Sequence, residues 1–392
     1  MILFEDKKDC CGCEACANAC PMGIITMQAD GESFLYPRID NADKCIGCRR
    51  CEQVCPMKHI EKQTNFQEQA YAGYADTDEE IFSCASGGLA SAMSRGVVSH
   101  GGVVYGVRYS SDCQNVLYAR ASSVEQLEAF KTSKYVQARK NFVYQEVQSD
   151  LQKDCVVLFV GLPCECYALQ LFLKKRYEQL YVCALMCHGP TSPAVHTKYY
   201  QYLQNEHRGA LTAFSVRYKK DGWKPYYIRS VYQDGTELME KFDSSNYGKA
   251  FLYMKRPSCN VCQIKRSAIH SDITIGDYHL AARGNVKPYN KFGVSSCIVH
   301  TEKGEKLLHQ MDGFHIQPVT IKNVLYSDAY YRAIPKRANR DEFGKVFSSK
   351  GLQAACALKS IDRIEHRLKI KRSLLCFASK IKKALLLCIK HK

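Results

Sequence analysis

From Tyr71 to about Asn205, short apolar runs alternate with helically spaced segments. GGVVYGVRY, CVVLFVG and YVCALMC predict strands, and their unbroken apolar character suits strands buried on both faces of a mostly parallel sheet. CYALQLFLKKR and PAVHTKYYQYLQ carry the three-to-four-residue spacing of helices. From Leu211 to about Ala333 the pattern turns antiparallel: YYIRSVYQ, the turn Asp234-Gly235 and TELMEKF predict a hairpin. SDITIGD and SSCIVH add two strands, and EKLLHQM a helix. EKQTNFQEQ is polar and unpatterned and reads as a linker, and residues 334–350 read as a polar, basic boundary. The last 32 residues read as one amphipathic basic helix, with Leu374, Leu375, Phe377, Ile381, Leu385 and Leu386 among lysines.

Composition adds one anomaly. The 392 residues are 46% apolar and 24% charged, as in an ordinary soluble globular protein, yet 22 are cysteine. The opening Met-Ile-Leu-Phe-Glu-Asp has no basic region, apolar core or cleavage site of a secretory signal. The expectation is a cytoplasmic chain whose cysteines are reduced and hold metal rather than disulfides. No window offers the roughly 20 uncharged apolar residues of a membrane span. Half of the net charge of +16 falls in residues 361–392. That distribution argues against a nucleic-acid-binding surface, and it suits a tail that touches an acidic partner or the anionic inner face of a membrane.

Two runs, CGCEACANACP and CIGCRRCEQVCP, repeat one spacing. Cys10, Cys13, Cys16 and Cys20 precede Pro21; Cys45, Cys48, Cys51 and Cys55 precede Pro56. Soft thiolates at this spacing wrap a 4Fe-4S cube, and in two-cluster ferredoxins the fourth cysteine of each run ligates the other cluster. The expected sets are Cys10, Cys13, Cys16 and Cys55, and Cys45, Cys48, Cys51 and Cys20. Cys11 falls outside the register and reads as a bystander. Zinc prefers two cysteine pairs with a longer spacer. In SCASGGLASAMSRG, Ser86, Gly87 and Gly88 open a helix whose amides could cradle a phosphate, or simply pack tightly on a sheet. Gly161, Pro163 and Cys164 follow one strand, and Cys187 and His188 another, where ligands gather in open α/β sheets. Cys259 and Cys262 form a pair suited to sharing a metal. Asp272, Gly276 and Asp277 bracket a short strand that could meet a flavin or cap a turn.

The sequences SGG, KTSKYVQA, FVGLPCECYAL, CHGP, RPSCNVC and SDITIGD, in this order, resemble the coenzyme F420 hydrogenase/dehydrogenase beta-subunit family over roughly Tyr71 to Thr301, with a fused dicluster domain as in bacterial members. The resemblance implies an α+β / α/β multidomain protein. Its parts would be a dicluster ferredoxin-like domain (1–62), an α/β flavin-binding core (70–205), a mixed or antiparallel second lobe (206–345) and a basic tail (346–392). It implies an iron-sulfur flavoprotein oxidoreductase that carries electrons from reduced ferredoxin or flavodoxin, through 4Fe-4S clusters and FAD, to an unknown organic substrate. Bacterial members found with polysaccharide-biosynthesis genes suggest the setting. Coenzyme F420 is the candidate two-electron partner; Glu165 and Thr132 stand where the family often has Gln and Gly. Lys134 would neutralise a cofactor phosphate, and His188 would donate a proton because its ordinary pKa lies near neutrality. Family members without the fused domain still carry a cluster, which implies a third 4Fe-4S site at Cys164, Cys187, Cys259 and Cys262. The alternative is a non-catalytic electron-transfer subunit of a larger complex.

Overall fold

The computed structural model describes residues 3–207, 209–283, 286–325 and 328–361, in two units that divide between Lys336 and Arg337. The first opens with the cysteine-rich segment around a two-stranded antiparallel ribbon, β1 (Ile25–Ala29) and β2 (Leu35–Ile39). The remaining strands are β3 (Gln69–Ala75), β4 (Val103–Tyr109), β5 (Val116–Ala121), β6 (Val157–Gly161), β7 (Leu180–Leu185), β8 (Leu211–Tyr218), β9 (Tyr227–Tyr232), β10 (Glu237–Lys241), β11 (Ile273–Asp277), β12 (Ser295–Val299) and β13 (Phe314–Pro318).

Eight strands form one mixed sheet in the order β13-β3-β12-β11-β7-β6-β4-β5. Its centre, β11-β7-β6-β4, is parallel, as the apolar runs predict, and its flanks are antiparallel. Val157, Leu158, Phe159, Cys183 and Ala184 are wholly buried, which is what strands covered on both faces require. Pairing Gly161 of β6 with Ala184 of β7 brings the carboxyl ends of both strands to one edge of the sheet. The helix Pro163–Leu173 starts there: Pro163 occupies its first turn, and the Glu165 carboxylate accepts the Leu162 amide at 2.9 Å.

The expected break at 205/206 does not separate two sheets. β11, β12 and β13 come from the second stretch but complete the sheet begun by β3 and β4, since β11 pairs parallel to β7 on one side and antiparallel to β12 on the other. Only β8, β9 and β10 form a sheet of their own, which contains the expected hairpin. EKQTNFQE, ahead of β3, lacks regular structure but is tied down: Gln63 N–H donates to Ser267 O at 2.6 Å and Gln67 N–H to His300 O at 3.1 Å. The second unit holds the helices Arg340–Lys350 and Leu352–Cys356, so the tail expected from residue 346 begins inside a helix. Residues 362–392, which carry the amphipathic pattern, lie outside the described residues. Among the described residues no helix is long and apolar enough to cross a membrane.

Candidate metal centres

The two cysteine runs repeat in backbone conformation as well as in spacing. Gly12 and Gly47 have φ of 69° and 67°, and Glu14 and Arg49 have φ of 63° and 54°. Each left-handed pair curls the loop around its cysteines and feeds a short helix, Ala15–Ala19 or Arg50–Gln53. Cys20, Cys45, Cys48 and Cys51 line one pocket, walled by Ile24, Ile25 and Ile39. The other four gather beside the core: burial pushes the Cys16 thiol well up, and Cys10 and Cys55 add to the rise. Cys20 thus lies beside Cys45, Cys48 and Cys51 of the second run, and Cys55 beside Cys10 and Cys16 of the first. Cys48 is exposed, whereas Cys13 is buried. Among the described residues no three His, Cys, Asp or Glu close onto a single ion. The donor sets themselves, four thiols each, suit iron-sulfur cubes.

A third set forms at the sheet edge. Cys164 sits in the first turn of the Pro163–Leu173 helix, Cys187 two residues beyond β7, Cys259 in the one-turn segment Pro257–Val261, and Cys262 just after it. The Gly189 amide donates to Cys187 Sγ at 3.2 Å. Gly189 has φ of 85°, and a Cβ there would stand 2.8 Å from Cys259 Cβ. Cys187 and Cys259 therefore meet across a residue that only glycine fits. Burial raises the Cys259 thiol, and Cys187, Cys164 and Cys262 raise it further; Cys187 is pushed up to about 11, chiefly by burial. Such thiols stay protonated until a metal displaces the protons.

Cys11 lies between the first run and the third set: its thiol is pushed well up, with Cys13 raising it, Cys164 opposing and burial adding to the rise. The rest of that junction is buried and polar. Gln137 Nε2 donates to the carbonyls of Cys11 and Gly12 at 3.2 and 3.0 Å, and the Tyr144 hydroxyl to Cys13 O at 2.9 Å. Lys140 Nζ donates to Gly12 O at 3.2 Å and pairs with Glu165 at 2.7 Å, while Tyr118 donates to the same carboxylate at 2.6 Å. Arg256, wholly buried, donates from Nε to Cys10 O at 2.7 Å and from Nη2 to Cys10 Sγ at 3.4 Å. Sequence reasoning missed Gln137, Lys140 and Arg256; the one local signal was an Arg opening RPSCNVC.

The residues expected to hold a cofactor are engaged elsewhere. The amides of Gly87 and Leu89 both donate to Ser295 Oγ, at 2.9 and 3.4 Å, and Ser86 Oγ donates to Val294 O at 2.7 Å. A Cβ on Gly87 would lie 2.5 Å from Gly73 O, so SGG is a close-packing device, with Gly88 capping the helix at φ of 92°. Lys134 is buried, and its ammonium donates to the carbonyls of Ala129, Lys131 and Thr132 at 3.1, 2.6 and 3.1 Å. It staples its own loop. A Cβ on Gly161 would meet the Tyr118 hydroxyl at 2.6 Å, and one on Gly276 the Met186 sulfur at 2.7 Å. Pro163 is buried in its helix. Asp272 accepts the Val182 amide at 2.8 Å and the Thr301 hydroxyl at 2.7 Å, the turn-capping role. Asp277 is taken by Arg217 and Tyr226. Burial, with Lys255 and Lys265 nearby, lowers His188 to about 4, which removes the near-neutral titration on which its proton-donor role rested.

Two family models match the chain. Residues 9–60 match the model described as 4Fe-4S dicluster domain, and residues 155–320 match the model of the C terminus of the coenzyme F420 hydrogenase/dehydrogenase beta subunit. Among solved structures, the xenon-derivatised F420-reducing NiFe hydrogenase complex from Methanosarcina barkeri is similar at 14% identity and a TM-score of 0.43, over 76% of this chain and 93% of the matched one. No curated protein matches.

Proposed function

The chain belongs to the coenzyme F420 hydrogenase/dehydrogenase beta-subunit family with a fused N-terminal 4Fe-4S dicluster domain, and on that premise we propose that it is a one-electron relay from the protein surface to a metal site in its core. The supporting observation is the segment of Cys11 and Gly12, which Gln137 fastens to the core at 3.2 and 3.0 Å and whose Cys11 thiol is within electrostatic reach of both Cys13 and Cys164. Cys10, Cys13, Cys16 and Cys55 would hold an inner cluster, Cys20, Cys45, Cys48 and Cys51 an outer one, and Cys164, Cys187, Cys259 and Cys262 a third. Cubane clusters accept and release single electrons. The protein's own part is to hold these thiols in order. Exposed Cys48 lies at the entry, flanked by exposed Arg49 and Arg50, which suit an acidic carrier such as reduced ferredoxin or flavodoxin. Gln137, Lys140 and Arg256 fasten the first run to the core.

The family also implies FAD, and with it reduction of an organic substrate or of coenzyme F420. The side chains and amides that the sequence offered for FAD are committed to internal partners, so they do not fit that group, and no step is derived through it. The relay therefore corresponds to the electron-transfer subunit reading, in the cytoplasm.

Anaerobic purification with iron, sulfide and flavin analysis tests this. About twelve irons per chain with matching sulfide supports three clusters. Stoichiometric zinc without acid-labile sulfide overturns the relay. Saturation near eight irons, unchanged by Cys259→Ser, removes the core site. Tightly held flavin restores the flavoprotein reductase.

A further inference from the structure

Arg256 is a fully buried cation with no carboxylate paired to it among the described residues. Four other buried cations show two ways of meeting that problem. Lys140 pairs with Glu165, and Arg217 with Asp277. Lys134 and Lys219 face backbone carbonyls, and burial lowers each to about 7, so either can shed its proton. Arginine has no such outlet, because its guanidinium stays charged at any pH that proteins tolerate. A buried charge without a counter-charge is among the costliest features a fold can carry.

The surroundings of Arg256 say what balances it. Nε and Nη2 grip Cys10 through its carbonyl and sulfur, Nη1 donates to Gln137 Oε1 at 2.9 Å, and Nη2 also donates to Leu35 O at 2.9 Å. The Tyr36 ring lies 4.1 Å from the guanidinium carbon. Cys10, Cys11 and Cys259 are the negative groups in reach once deprotonated. Neutral thiols cannot balance a guanidinium, whereas thiolates on a cluster can. Cluster potentials follow net charge, hydrogen bonds to sulfur and solvent exposure. Among the described residues the outer set has no buried cation on a cysteine sulfur: Cys48 is exposed, and Arg49 beside it is exposed and paired with Glu52 at 2.8 Å.

We propose that Arg256 is the fixed counter-charge of the inner cluster, and that its N–H···S bond to Cys10 holds that cluster's reduction potential above the outer one's, so that electrons entering near Cys48 run inward. The inference rests on the relay reading and deepens it. Arg256 is a positioning and tuning residue; it carries no electron itself.

Redox titration of the anaerobic full-length protein, followed by electron paramagnetic resonance, tests it, with Cys13→Ser and Cys48→Ser variants assigning the inner and outer signals. In Arg256→Gln the reduced-to-oxidised ratio of the inner cluster at a fixed potential should fall at least tenfold, equivalent to 59 mV for one electron. The outer cluster should not move, and Arg256→Lys should fall between. Should these variants lose their iron, wild-type protein labelled with guanidino-15N arginine keeps the question open to measurement. The reduced inner cluster should then show a nitrogen coupling. Unshifted potentials in an iron-replete Arg256→Gln protein, or no such coupling in the wild type, overturn the role of Arg256 alone. Protein that never holds iron and sulfide overturns the relay as well.

Discussion

A Cβ on Gly12 would stand 2.7 Å from Nη1 of Arg256 and 2.3 Å from Nε2 of Gln137. Gly12 is also left-handed, at φ of 69°. Gly12→Ala therefore combines a backbone penalty of about 1–2 kcal/mol with a clash against groups that have nowhere to retreat. The expected outcome is a loosened junction: a lower midpoint in thermal unfolding and slowed electron transfer into the core. Transfer at the wild-type rate in stopped flow would contradict it.

Gly189→Ala should act on the third set alone. The new methyl would press on Cys259 while φ stays at 85°. Iron content should drop from about twelve to about eight per chain, because the N-terminal sets do not involve this loop. Iron and sulfide analysis of the reconstituted variant checks the number.

Glu165→Gln restores the family's more frequent residue but removes the only carboxylate paired with buried Lys140 among the described residues. Breaking a buried pair costs about 3–5 kcal/mol. The sign with pH follows from Lys140. With Glu165 present, burial lowers the lysine's pKa, but the pairing outweighs it and the net value is raised, so its contribution persists below the ordinary lysine range. Without Glu165, burial is opposed only by Glu14 and Cys164, and the folded-state pKa is expected to fall below the unfolded one. Between those two values the unfolded chain binds more protons, so stability rises with pH. Urea unfolding at pH 7 and pH 9.5 should show the variant's deficit shrinking at the higher pH; a constant deficit would refute the account.

Charge reversal at the entry should be a rate effect. Arg49→Glu with Arg50→Glu, both exposed, should slow reduction by an acidic ferredoxin at least tenfold at low salt. The difference should fade as ionic strength rises, with iron content unchanged. Stopped-flow reduction across a salt series measures it.

The dicluster runs were legible because ligation inside one loop is a local property, in which spacing along the chain nearly is spacing in space. The parallel strands were legible for a related reason: burial on both faces leaves an unbroken apolar run. SGG, Lys134 and Asp272 left two readings open because a glycine-opened helix, a buried lysine and a capping aspartate look the same in sequence whether they meet a ligand or the backbone. Their partners Ser295, Ala129 and Val182 come from pairings that periodicity does not report.

By itself, then, the order of amino acids determined the two repeated thiol sets, the apolar centre of the sheet and the β9-β10 hairpin, all consequences of short-range spacing and of period. Only the tertiary structure decided that β11, β12 and β13 finish the sheet begun by β3 and β4, that Cys11 reaches Cys164, and that Arg256 closes on Cys10 from 246 positions away. Those relationships depend on which strand lies beside which. A cation's need for a counter-charge becomes visible only when the chain has removed it from water.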